Sequence, residues 1–486
     1  MIENTSGLYA AFTAKDARFD GRFFVGIAST GIYCRPVCRA RQPKEENCTF
    51  YHTAAEAEQD GYRPCLLCRP ELAPGTSITD ATAELTYRAL RLLEENCGSG
   101  VSIAAIAAKL GCTDRHLRRA FTAAYNVSPV QYLQTCRLLL AKNLLTDTDL
   151  SVLDVAMAAG FGSLRRFNEL FKKQYDLPPT ALRKKLAETK KHSGEITLAL
   201  GYRPPYRWEE VLDFLAGRAI TGVEIVRNGE YLRTVAMPDA AGKPVYGWLR
   251  VGNKPEKNVL SVTVSENLLP LLPQVLARLK KLFDLYCDPY AVYETLQLMN
   301  KLQPELCVLG TRVLGCFEPF EMSVRAVLGQ QITVKAASTL AARIVEAYGT
   351  PVPTGIDGLT HIFPSPEVIL AMGDSVTDKL GTLGVISTRS QTIYQLARAF
   401  AAGKIDFDLC SRPEEEMRKL MVIRGIGSWT AQYIAMRAME WPDAFLETDA
   451  GVKKALPAYS SKELLALAEA WRPWRSYATF NLWNSL

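Results

Sequence analysis

Four of the twelve cysteines fall into two tight pairs, and no other feature restricts the fold of this 486-residue chain so strongly. Cys34-Arg-Pro-Val-Cys38 is followed, roughly 26 residues on, by Cys65-Leu-Leu-Cys68. Brought together by the intervening loop, two such pairs supply the four thiolates of a tetrahedral site for one Zn²⁺ ion. A closed four-thiolate site is usually structural. Here its surroundings are cationic. The stretch from Thr30 to Arg41 sets Arg35, Arg39 and Arg41 around the first pair, and Arg63 precedes the second. Such a rim would hold a DNA phosphate beside the metal.

The other eight cysteines (Cys48, Cys97, Cys112, Cys136, Cys287, Cys307, Cys316 and Cys410) are scattered and read as small buried hydrophobes. Residues Met1 to Ala17 bring in acids and polar side chains early, unlike a secretory signal, and no apolar run is long enough to span a membrane. A cytoplasmic setting with reduced thiols is expected, with no membrane partner. Hydrophobic residues make up 48% and charged residues 22%, ordinary for a globular chain, and the length implies about three domains. A net charge of +6 does not by itself identify a nucleic-acid partner. Local clusters say more, among them Arg183-Lys184-Lys185.

A duplicated unit follows the cysteines. After an amphipathic helix over 79–100, Ser102 caps a helix that runs to Leu110, Gly111 ends it, and Thr113 caps a second helix bearing Arg115, His116, Arg118 and Arg119. The plan recurs with Ser151, Gly160 and Ser163, whose second helix bears Arg165 and Arg166. The glycines stand 49 residues apart, and each unit runs on through an aromatic to a proline, Phe121 to Pro129 and Phe171 to Pro179. Helix, glycine turn and polar second helix form the helix-turn-helix plan for the DNA major groove. Two in tandem are far more specific than one, although a helical spacer would show the same elements.

The charged stretch from Lys184 to Gly194 reads as an exposed boundary. Beyond it, Val223 to Val235, Tyr246 to Val251 and Val259 to Val264 alternate as antiparallel strands, with helices over Val211–Ala219 and Leu271–Leu285. From about Phe320 the pattern is helical throughout. There Gly425-Ile-Gly427 makes a tight hairpin whose following helix can turn its N–H groups toward a DNA phosphate. Asp449 comes roughly twenty residues later, where a helix N-cap and a catalytic carboxylate are both open readings.

These strings carry a resemblance. Residues 20–70, with Thr-Gly-Ile-Tyr-Cys-Arg-Pro-Val-Cys-Arg-Ala-Arg, look like the N-terminal domain of the Ada adaptive-response proteins. The duplicated unit is similar to the AraC family. Residues 195–486 resemble AlkA-type 3-methyladenine DNA glycosylases, through Pro204-Pro205-Tyr206, Val324-Arg-Ala-Val-Leu-Gly-Gln330 and Trp471-Arg-Pro-Trp-Arg475 among others. The implied architecture is multidomain and mainly α, with α+β parts. It comprises a zinc-bound α+β domain (1–78), an all-α double helix-turn-helix domain (79–190), an antiparallel-sheet α+β subdomain (195–300) and an all-α helix-hairpin-helix core (301–486).

The resemblance implies that Cys34 is both a zinc ligand, with Cys38, Cys65 and Cys68, and an irreversible acceptor of methyl from DNA methyl phosphotriesters. It implies that Asp449 serves a monofunctional glycosylase acting on alkylated purines, with Phe214, Trp429, Tyr433 and Trp483 as base pocket. Thr448 stands where AlkA commonly has a second acid, and Trp429 where bifunctional relatives carry a lysine nucleophile. Gln331 replaces the leucine that fills the gap left by the flipped base. DNA contacts are expected from Thr30, Arg35, Arg41, Arg63, Arg115, His116, Arg118, Arg119, Ser163, Arg165, Arg166, Gln330, Gln331, Gly425 and Gly427. The implied partners are alkylated and promoter duplex DNA and RNA polymerase, bound by a monomer in a bacterial nucleoid. The competing reading is a methylation-sensing regulator whose glycosylase-like half only grips DNA. No Pro-Cys-His-Arg string occurs, so alkylguanine transfer is not expected.

Overall fold

The computed structural model describes residues 2, 5, 7–74, 84–184, 195–239, 241–407 and 412–486. Cys410, most of the charged boundary at 184–194 and the start of the helix expected from residue 79 lie outside them. Among the described residues no helix is long and apolar enough to cross a membrane.

The first segment is a four-stranded sheet in the order β3-β1-β2-β4: β1 Phe24–Ile27, β2 Ile32–Cys34, β3 Cys48–Tyr51 and β4 Arg63–Pro64. The helix Ala54–Gln59 starts in a capping box between Thr53 and Glu56. Both helix-turn-helix units form as their caps predict. Ile103–Lys109 pairs with Asp114–Tyr125 and Val152–Ala158 with Leu164–Tyr175, and Ser102, Thr113, Ser151 and Ser163 cap the four helices. Gly111 and Gly160 turn the chain at φ 69° and 83°. The long helix Pro129–Asp147 joins the units.

The third segment opens on a five-stranded antiparallel sheet in the order β5-β9-β8-β7-β6. Its strands are β5 Glu195–Gly201, β6 Glu224–Arg227, β7 Glu230–Pro238, β8 Pro244–Lys254 and β9 Val259–Ser265. Three details depart from the sequence reading. The expected strand over 223–235 is a hairpin, broken by Asn228 and Gly229 at φ 53° and 74°, a two-residue turn with both φ values positive. β5 was not expected, although Ile196, Leu198 and Leu200 alternate into the core. A third departure is a short β10–β11 pair, Thr350–Pro351 with His361–Ile362, within the region expected to be wholly helical.

The cores do not divide at residue 300. The C-terminal helices Ala450–Ala455 and Arg475–Asn484 share one apolar cluster with the sheet, whereas residues from Phe320 to Met439 close around a second. The first cluster also takes in Leu138, Leu144, Phe167 and Phe171 of the helix-turn-helix region. The two halves of the chain therefore pack on one another. β5 lies so close to the first segment that a Cβ at Gly201 would stand 1.7 Å from the Leu72 carbonyl oxygen.

Candidate functional site

The first site is built by strand pairing. β2 carries Cys34 opposite Val25, and the Cys65 amide donates to the Tyr33 carbonyl at 3.0 Å, bringing the second cysteine pair against the first. The Sγ atoms of Cys34, Cys38, Cys65 and Cys68 all lie within 4.8 Å of one another. A zinc–sulfur bond of ~2.3 Å gives tetrahedral sulfur–sulfur edges of ~3.8 Å, so the donor set fits one Zn²⁺. Hydrogen bonds among the crowded sulfurs push the Cys34 thiol up and hold Cys65 down. Cys34, Cys38 and Cys65 are buried, with Cys34 2% exposed; Cys68 is the most open of the four.

Arg35 departs from the cationic rim expected of it. It is 6% exposed, and its guanidinium turns inward to the Asp20 carboxylate (Nε to Oδ1 2.8 Å) and the Cys68 carbonyl (3.2 Å). Its amide points at Cys68 Sγ, 3.4 Å away. A guanidinium buried between two ligand-bearing turns must pair with the nearest buried acid, so Arg35 braces the cluster. Thr30 and Arg41 are exposed, and Arg63 is half-buried and reaches Asp176, at the end of the second recognition helix, at 3.2 Å. Sequence reasoning passed over Leu66 and Leu67, which stand 56% and 64% exposed between two ligands.

On the recognition helices Arg115, His116, Arg119 and Arg166 face solvent. Arg118 pairs with Asp114 and Arg165 with Glu169 along their own helices. The Ser163 hydroxyl accepts from the Arg166 amide as a cap. Of the scattered cysteines, Cys97, Cys287 and Cys307 are buried as expected, whereas Cys48, Cys112, Cys136 and Cys316 are only partly covered.

The second site lies in a cavity of about 1270 Å³. Its wall includes Arg218, Arg325, Gln330, Gln331, Gly425, Gly427, Trp429, Tyr433, Arg437, Thr448, Asp449 and Trp483. The hairpin follows helix Pro413–Met421. Gly425 turns at φ 94°, and a Cβ there would lie 2.1 Å from Thr392 Oγ1. Gly427 has open space around it and precedes helix Ser428–Ala438, whose first N–H groups have no side-chain cap. Gln330 ties the hairpin down, its amide donating to the Gly425 carbonyl (2.8 Å) and Thr430 Oγ1 (2.9 Å). Gln331, exposed at φ 53°, stands at the lip.

Asp449 is the N-cap of the helix Ala450–Ala455, one of the two readings left open by the sequence, and both its oxygens also meet indole donors. Its Oδ1 accepts from the amides of Gly451 (2.8 Å) and Val452 (3.1 Å), capping a helix, and from Trp483 Nε1 (2.9 Å). Oδ2 accepts from Trp429 Nε1 at 3.1 Å. Both oxygens are thus aimed by fixed donors, and the group is half-buried rather than sealed. Trp429 stacks on Tyr433 (5.3 Å, 11°), and Trp483 lies 6.3 Å from Tyr433. Gly451, which the sequence did not single out, is required by this packing: a Cβ would be 2.7 Å from Trp483 Cδ1. Phe214 stacks on Trp483 (6.2 Å, 23°) but does not reach the cavity wall, and the guanidinium groups of Arg218 and Arg437 lie over its ring at 3.7 Å and 4.8 Å.

Four family models match in order along the chain: the metal binding domain of Ada (residues 7–71), a helix-turn-helix domain (106–185), the AlkA N-terminal domain (197–318) and the HhH-GPD superfamily of base excision DNA repair proteins (324–463). The chain is 36% identical over 496 residues to the probable bifunctional transcriptional activator/DNA repair enzyme AlkA of Mycobacterium tuberculosis, covering 100% of this chain and 97% of that protein. It is 33% identical over 286 residues to DNA-3-methyladenine glycosylase 2 of Escherichia coli, covering 58% of this chain and 95% of that one. To the bifunctional transcriptional activator/DNA repair enzyme Ada of Escherichia coli it is 37% identical over 124 residues, covering 26% of this chain and 34% of that one.

Proposed function

The chain belongs to the family of bifunctional transcriptional activator/DNA repair enzymes of the AlkA type, and from that premise we propose that it repairs alkylated DNA at two chemically separate centres. Residues 1–78 accept methyl groups, 79–190 bind DNA, and 195–300 and 301–486 together excise bases. The observation that carries the reading is the pairing of a four-sulfur cluster with an aromatic-walled cavity that presents an oriented carboxylate.

At the first centre Cys34 attacks the methyl carbon of a methyl phosphotriester. The S–C bond forms, the C–O bond breaks, and its electron pair leaves on the phosphodiester. Cys34, Cys38, Cys65 and Cys68 would hold a zinc ion, which would supply the charge that keeps the Cys34 sulfur deprotonated at neutral pH. Arg41 and Thr30 face the solvent side where DNA would lie, and Arg35, paired with Asp20, fixes the turn between ligands. The thioether product has no route back, so each molecule acts once. Methylation takes a negative charge from the cluster and strengthens its hold on phosphate, which couples damage to promoter binding through the two recognition helices. RNA polymerase would be the partner there, with the chain bound as a monomer. Equal affinity of methylated and unmethylated protein for the same DNA at fixed salt would refute the switch.

At the second centre an alkylated purine leaves the helix stack and enters between Trp429, Tyr433 and Trp483. As the glycosidic bond breaks, its electron pair departs with the base and positive charge develops on the sugar. Asp449 stabilises that charge and orients the water that adds to C1′ and gives up its proton to the solvent. With Trp429 in place of a lysine, no Schiff base forms and the product is an abasic site. Replacing Asp449 by Asn in an assay of base release from methylated duplex DNA is expected to lower the rate by at least ~100-fold. Undiminished release would remove Asp449 from the mechanism.

A further inference from the structure

The base cavity is already occupied by a charge of the protein's own. Arg218 follows helix Trp208–Ala216, and its guanidinium sits 3.7 Å over the Phe214 ring and 5.9 Å from the Trp483 ring. These are faces on which a cationic purine would rest. Its guanidinium donates to the Phe214 carbonyl at 3.3 Å and hydrogen-bonds the Tyr433 side chain, while its backbone is anchored through Arg325, which donates to the Arg218 carbonyl.

The neighbouring arginines are fixed differently. Arg325 pairs with Glu224 (2.8 Å) and Glu321 (3.0 Å). Arg437 donates to the carbonyls of Leu314 and Gly315 and to the Tyr433 hydroxyl (3.0 Å). Among the described residues no carboxylate pairs with Arg218, which sits close to two other cations. Burial lowers its pKa; Tyr433 works against this, and the charges of Arg437 and Arg325 lower it further. Burial pushes the Tyr433 phenol up, but Arg437, Arg218 and Arg325 more than offset this and leave it below its ordinary value. A second positive charge cannot enter this cavity beside Arg218 without cost.

We propose that Arg218 is a displaceable cation that sets the selectivity of the base site. A positively charged alkylpurine replaces the guanidinium on the aromatic faces and restores the cation–π contact that the arginine gives up. A neutral purine must displace the same guanidinium and restores stacking but no cation–π contact. Arg218 is thereby a specificity residue and touches no reacting atom.

This inference rests on the glycosylase reading above. Its test is single-turnover excision by the full-length protein and its Arg218→Ala variant, from duplexes carrying either one 7-methylguanine (cationic) or one hypoxanthine (neutral). Dividing the variant's rate by the parent's on each substrate cancels the bases' intrinsic reactivity. Methyl acceptance at the distant cysteine site reports that the variant is folded. The variant is expected to favour hypoxanthine over 7-methylguanine by at least ~5-fold relative to the parent. An unchanged ratio, or equal losses on both substrates, would overturn the proposal and leave Arg218 a structural or DNA-gripping residue. If the parent released neither base, the glycosylase reading itself would fall, and this inference with it.

Discussion

The role proposed for Asp449 depends on what aims it. Two indole N–H groups and two amides hold its oxygens, so removing one donor while keeping the ring isolates the contribution of orientation. Trp483→Phe is expected to slow base release about tenfold while duplex affinity stays near that of the parent, as read by single-turnover kinetics and DNA titration. A different residue gives the first segment a pH signature. Burial raises the Glu58 carboxyl to about 7, although Thr135 (2.8 Å) and Tyr33 (3.0 Å) donate to it. In the unfolded chain it titrates near 4.5. Between these values the folded state keeps the proton, so stability that is fully present below the lower value is lost as pH rises through the higher one. Glu58→Gln should therefore raise the thermal midpoint near about pH 8 and change it little near about pH 5. The opposite pattern would show that Glu58 is ionised in the fold.

The hairpin offers a comparison at the scale of an element. Gly425 needs its positive φ and has Thr392 against it, whereas Gly427 has an ordinary φ of −95° and open space. Gly425→Ala is expected to destabilise the protein by about 1–3 kcal/mol in denaturant titrations. Gly427→Ala should leave stability unchanged and weaken duplex binding several-fold, because its Cβ would meet only the approaching phosphate. This contrast also marks what the sequence discloses. Caps such as Thr113 and Ser163, the glycine turns and the GIG string are local signals, and they place the helices directly. The Asn228-Gly229 hairpin was equally local, but the alternation on either side ran through it unbroken. Arg35, Arg218 and Gly451 were not legible in their roles. Each is defined by a neighbour distant in sequence or by packing: Asp20 and Cys68 for the first, Trp483 for the other two. Asp449 and its tryptophans were found only through resemblance, since their spacing alone also describes a capped helix.

In the molecule as a whole, the repair centres are separate but the packing is shared. Arg91, in the helix Glu84–Glu95, reaches Glu440 at 3.2 Å and lies 3.8 Å over the Tyr286 ring; Lys281 pairs with Glu95 at 3.1 Å. Arg91→Ala would leave Glu440 with less compensation and is expected to cost about 1–3 kcal/mol of stability, while base release continues at temperatures where the variant stays folded. The most direct test of two centres in one chain uses duplex DNA labelled with tritiated methyl groups. Protein-bound label and released methylpurine are counted together for the parent, Cys34→Ala and Asp449→Asn. Cys34→Ala should lose protein-bound label and keep base release, and Asp449→Asn should do the reverse. If either substitution abolished both signals in a folded protein, or if label stayed bound without Cys34, the assignment of one reaction to each centre would be contradicted.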